Sequence, residues 1–173
     1  MGTNVQLKTA EIEKISHLDY FNTAVSVDCV IFGYDEKELK VLLIKSDLEE
    51  FSDLYSLLGD LVKPDEDLEA ASYRILKDRT GLDDVYLEQV QAFGSIDRHP
   101  SGRVITIAYY SLIDINHHKL KLSHNELNWH PVTEIKKMAF DHKLILESCL
   151  GRLQQQVMDQ PVVFNLLPEK FSL

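Results

Sequence analysis

From Ala24 the chain alternates between apolar and polar positions and then turns almost wholly apolar through Phe32, reading AVSVDCVIF. The alternation predicts a strand, and its apolar end predicts a central one covered on both faces. A polar turn, Tyr34 to Glu38, leads into Leu39 to Lys45, LKVLLIK, a second strand that makes a hairpin or meander with the first. Tyr86 to Phe93 and Arg103 to Ile113 predict two more strands around a loop that holds Asp97-Arg98-His99-Pro100. Trp129 to Val132 reads as a short strand or turn, after a polar segment from His117 to Asn128.

Two stretches carry the helical period instead. Leu68, Ala71, Ile75 and Leu76 fall on one stripe, with Asp67 at the N-cap, Glu69 in the first turn and Gly81 as the C-terminal stop. Before this helix, Gly59 and Pro64 predict a turn. The second stripe is Leu146, Cys149, Leu150 and Leu153, in a helix over about 142–157 capped by Asp141. Residues 1–20 are polar and weakly patterned, and are expected to form an N-terminal arm. Strands, a helix, strands and a final helix predict an α/β fold, an α/β/α sandwich on a mixed sheet.

Composition narrows the classes. With 173 residues, 45% of them apolar, the chain can bury one ordinary core. Its net charge of −10, from 18 basic and 28 acidic residues, disfavours nucleic acid or anionic lipid as a direct partner. The apolar runs are too short to span a membrane, and the N-terminus lacks the pattern of a secretory signal. Cys29 and Cys149 lie in a strand-like and a helix-like run and are expected to be buried thiols in a cytoplasmic protein. Neither has metal-ligand spacing to a second Cys or a His.

The stretch Leu57 to Leu82, LLGDLVKPDEDLEAASYRILKDRTGL, resembles the box that marks the Nudix hydrolase family. Glu66, Arg74, Leu76, Gly81 and Leu82 match it. Asp60 stands in place of its first Gly, Ile75 in place of the Glu after Arg, and Asp78-Arg79 in place of a Glu-Glu pair. Positions 75, 78 and 79 share one helical face, and in the family carboxylates there hold Mg²⁺ against a diphosphate. With Ile75 and Arg79 on that face, the resemblance implies a degenerate domain over 21–155. Glu66, Arg74 and Asp78 are then vestiges, with no catalytic residue, no metal and no cofactor. Mg²⁺ returns only if the chain is a hydrolase with an unusual metal set.

A narrower resemblance covers 24–173. Val27 to Gly33 followed by Leu39 to Lys45, then Asp97 to Tyr109, Ala139-Phe140-Asp141-His142, and Leu166-Leu167-Pro168 with Phe171-Ser172-Leu173 look like successive segments of the NrtR-type Nudix-related transcriptional regulators. That resemblance implies a sensor of a small metabolite, a sugar, sugar phosphate or ADP-ribose. It implies a homodimer that meets DNA only through a C-terminal winged helix, of which 156–173 would be the linker and start.

The candidate ligand contacts are Asp97, Arg98, His99 and Arg103 in the loop, Lys45 at a strand end and Arg79 on the helix. Carboxylate for sugar hydroxyls and guanidinium for anionic oxygens motivate the choice. A sugar or sugar phosphate is preferred to an intact dinucleotide, with Ile75 offering apolar surface to a sugar ring. Changing Arg98 or Arg103 to Ala is expected to weaken binding and leave the fold intact. The alternatives are a Nudix hydrolase acting on ADP-ribose-like nucleoside diphosphate derivatives and a pure dimerisation scaffold.

Overall fold

The computed structural model describes residues 22–118, 120 and 127–159. The expected arm over 1–20 lies outside the described residues, as does the expected linker over 156–173 except for 156–159, which continue the last helix.

Among the described residues, seven strands form one mixed sheet. β1 (Ala24–Tyr34) pairs along its whole length in parallel with β6 (Val104–Asp114). On its other side β1 changes partner. It pairs antiparallel with β4 (Leu58–Leu61) from Ser26 to Cys29, and with β2 (Leu39–Lys45) from Phe32 onward. β3 (Tyr55–Ser56) and β7 (Leu127–Pro131) flank β2, and β5 (Glu88–Phe93) closes the other edge beside β6.

Side chains of β1 alternate between the two faces, as the period of a strand requires. Val27, Cys29 and Ile31 pack beneath α1 (Leu68–Thr80), with Ala71, Ile75 and Leu76. Val30 and Phe32 pack beneath α2 (His142–Asp159), with Ile145, Leu146, Cys149 and Leu153. Two cores on opposite faces of one sheet make the α/β/α sandwich. Both cysteines are free and buried, one in each core.

α1 starts and stops as its sequence predicts. The Asp67 carboxylate accepts from Ala70 N at 2.8 Å, and Gly81 ends the helix at φ 74°.

Three expectations are corrected. Gly59 is not in a turn but in β4, directly opposite Asp28 of β1. A Cβ on Gly59 would sit 2.2 Å from Asp28 Oδ1, so only glycine allows this approach. Asp141 precedes α2 and its carbonyl accepts from Leu144 N and Ile145 N. Its carboxylate, however, is taken by Arg98 instead of by the helix. Ile75 is 1% exposed and belongs to the core under α1, so it lines no ligand surface. Of the three positions that share this helical face, Ile75 packs on the sheet, Asp78 is exposed and Arg79 turns to the edge of the helix.

Candidate functional site

A cleft of about 330 Å³ opens where β1 exchanges β4 for β2. The ends of β2, β3 and β4 form its walls, through Ile44, Lys45, Ser56, Leu57 and Gly59 to Leu61. Arg79 reaches it from the last turn of α1, and Phe140 and His142 reach it from the start of α2. Such a gap between strands is where open α/β sheets hold ligands.

Asp28 sits at its floor, 4% exposed, as a lone carboxylate in an otherwise apolar strand. Arg98 Nη2 and His142 Nε2 each lie 3.5 Å from its oxygens. Arg98, whose side chain is 2% exposed, forks onto Asp141, with Nε donating to Oδ2 at 2.9 Å and Nη2 to Oδ1 at 2.7 Å. Leu57 N donates to His142 Nδ1 at 3.0 Å. A backbone N–H can only donate, so Nδ1 must accept and Nε2 carries the proton that faces Asp28. Burial holds His142 below the ordinary imidazole range, although Asp28 and Asp141 pull it upward. A second proton would have to displace the Leu57 bond, which also favours the neutral ring.

Phe140 adopts φ 53°, a left-handed conformation that costs a bulky residue energy. That turn sets its ring in an aromatic cluster. The His99 ring stacks on it at 5.0 Å and 9°, while Phe51 and His142 tilt against it at 4.7 and 4.9 Å. His99 and Phe140 both line the cleft.

The candidate residues separate under this geometry. Arg98, His99, Lys45 and Arg79 come together at the cleft. Asp97 faces a neighbouring hollow on the far side of Arg98, with Phe51, Pro100 and Asp141. Arg103 does not line the cleft; it donates to the carbonyls of Gly94 and Ser95 at 2.6 and 3.1 Å and fastens its own loop. The residues missed from sequence are Asp28, Ser56, Phe140 and, as part of the site, His142. Only Asp28 left a signal, a carboxylate inside an apolar run.

The retained box residues form a separate network. Arg74 forks onto Glu66 at 2.8 and 2.6 Å and reaches Asp60 at 3.2 Å and the Leu61 carbonyl at 2.9 Å. Lys63 N also donates to Glu66. The loop before α1 is thereby tied to the helix. Chiefly through the Arg74 bonds, Glu66 is held well below the usual carboxylate range, at about 2.

A pH dependence follows. A carboxyl group whose value falls on folding adds stability above its unfolded value and loses it as pH falls toward the folded one. Thermal melts should therefore place Glu66→Gln below wild type at about pH 6. The gap should narrow as pH falls from about 4.5 toward about 2. A gap that stays constant across that window would mean that the charge of Glu66 adds nothing to folding.

The residues present do not fit the divalent metal that the box implies. Ile75 is in the core, Asp78 is 65% exposed beside Arg74, and Arg79 brings a positive charge to the cleft. Among the described residues, no group of three or more His, Cys, Asp or Glu is placed to hold a metal.

These features are those of a Nudix-type domain whose helical box positions 75, 78 and 79 present no carboxylate to its cleft. The NUDIX domain pattern matches residues 22–149. The ADPR-responsive transcriptional repressor NtrR of Acinetobacter baylyi is 30% identical over 178 residues, covering 100% of this chain and 71% of the repressor. The ADP-ribose pyrophosphatase of Methanocaldococcus jannaschii is 33% identical over 130 residues, covering 74% of this chain and 73% of that enzyme. The NUDIX domain of Shewanella oneidensis NrtR, solved with ADP-ribose, superposes with a TM-score of 0.69 at 27% identity, over 85% of this chain and 99% of that one. The chain belongs to the Nudix family, among its NrtR-type regulators.

Proposed function

We propose that this chain is the metabolite-sensing domain of a transcriptional regulator. It binds ADP-ribose or a related sugar phosphate without hydrolysing it, and the bound state controls DNA binding by a C-terminal winged helix. The observation that carries the reading is Arg79 at the cleft, in a position where the Nudix box has a metal-holding glutamate. Arg79 Nη1 lies 3.8 Å from Asp47 Oδ2, and Asp47 is mostly exposed. An incoming phosphate can replace so loose a partner and take the guanidinium directly. Lys45 on the same wall adds a second cation. The relatives support the ligand class, because one is named for its response to ADP-ribose and another was solved with it bound. Among the expected ligands, a sugar, a sugar phosphate or ADP-ribose, they favour ADP-ribose.

The test joins binding to turnover. ADP-ribose at about 100 times its Kd should stabilise the fold by about 2.7 kcal/mol in a thermal melt, with or without Mg²⁺. Mg²⁺-dependent hydrolysis should run at least about 10³-fold below an ordinary Nudix rate, since metal stabilisation of the transition state is missing. Steady turnover at an enzyme's rate would return the chain to the hydrolases. An unchanged melt would remove ADP-ribose as the effector.

A further inference from the structure

The floor of the cleft contains a polar group that nothing in the fold uses. Ser56 is 7% exposed and lines the cleft, and among the described residues its Oγ has no hydrogen-bond partner. A buried hydroxyl without a partner costs free energy, and folding alone gives no reason to keep it. Asp28 shares this floor, and its two contacts, at 3.5 Å, are long for hydrogen bonds. Its oxygens remain open to a shorter donor. His142 presents an N–H on the same side.

Charge decides what fits there. Among the described residues, the one buried guanidinium beside Asp28, that of Arg98, is already forked onto Asp141, so the floor sets the Asp28 carboxylate against a phosphate and offers it no unshared cation. The cations that can take phosphate, Arg79 and Lys45, are the more exposed ones on the walls. A purine ring suits the floor poorly. Its amino group would donate to Asp28, but the ring nitrogen beside that amino group would set a lone pair against the carboxylate. The flat surfaces that suit a purine are His99 and Phe140, both part-exposed. Vicinal hydroxyls match the floor best, since two O–H donors meet one carboxylate and a hydroxyl can both give to and accept from Ser56 Oγ.

We infer that the floor formed by Ser56, Asp28 and His142 holds the hydroxyl-bearing terminal sugar of the ligand, with its phosphates outward at Arg79 and Lys45. Ser56 is then a specificity-determining residue: it separates a ligand that ends in a free sugar from one that ends in phosphate. This inference rests on the sensing function proposed above.

Calorimetry on the whole chain, wild type and Ser56→Ala, with ADP-ribose, ribose 5-phosphate and ADP, tests it. The variant should weaken ADP-ribose and ribose 5-phosphate about tenfold and leave ADP unchanged. Its ligand-free melting temperature should equal or exceed that of wild type, because the substitution removes an unpaired hydroxyl. If wild type binds ADP-ribose and Ser56→Ala binds it equally well, the sugar is not on this floor, and the sensing function stands without it. Equal weakening of ADP and ADP-ribose would put the nucleotide end inward and overturn the orientation. A lower ligand-free melting temperature would mean that Ser56 serves the fold, which also overturns the assignment. If wild type binds none of the three, the sensing function fails and this inference fails with it.

Discussion

Arg98→Ala is expected to lose about 3–5 kcal/mol of folding stability, more than half of what a marginal domain has. The guanidinium is the only cation facing Asp28 and Asp141 at short range among the described residues. Truncation leaves two carboxylates near each other at a buried site, and one of them is 4% exposed. That outcome is far worse than never having had the pair, because the carboxylates have already given up water. Urea denaturation at neutral pH measures the loss. It should shrink in acid, where protonation of an orphaned carboxylate relieves the burial. The expectation that Arg98→Ala spares the fold and affects only binding is therefore replaced. Near-wild-type stability would show that Arg98 is held for the ligand and not for the fold.

Restoring the box should fail for a structural reason. Ile75→Glu returns the acid that the family places there, yet position 75 is 1% exposed and packed among Ala71, Leu76 and the face of β1. A carboxylate confined to such a site is expected to cost about 4–7 kcal/mol at neutral pH, on the scale of fully buried acids. The sign of its pH dependence is the reverse of that for Glu66. Burial raises the folded value above the unfolded one, so the penalty grows as pH rises from about 4.3 and is smallest in acid. Comparing Ile75→Glu with Ile75→Gln by urea denaturation at about pH 4 and about pH 7 isolates the charge. The two should differ widely at the higher pH and little at the lower one. Equal stability at both would mean that residue 75 turns its side chain to the cleft, and restored metal chemistry would then be worth seeking.

Long regular elements were legible because they repeat. β1, β2 and β6 run over seven to eleven residues, and α1 has both its cap and its stop in the sequence. β3 and β4 have two and four residues, too few to establish a period, so Gly59 read as a turn. The helical wheel correctly grouped 75, 78 and 79, but it could not show that the sheet covers Ile75 while Asp78 and Arg79 stay outside the core. The cleft was half visible. Lys45, Arg79 and His99 are charged or polar residues near the ends of elements, where sites gather. Asp28, Ser56 and His142 work only because β1, β3 and α2 converge, and no spacing along the chain encodes that meeting. Asp141 looked like a helix cap because its type and position suit one; a buried arginine from a distant loop competed for the same oxygens and won.

The separation of the two thiols by the sheet gives the molecule a built-in readout. Cys29 lies in the layer under α1 and Cys149 in the layer under α2. Burial pushes Cys29 far above the ordinary thiol range and Cys149 up to about 12. Neither sulfur reacts with an alkylating reagent until its own layer opens. The rate of labelling at each cysteine therefore clocks the opening of one layer. Effector binding that tightens the α2 side should slow alkylation of Cys149 more than that of Cys29.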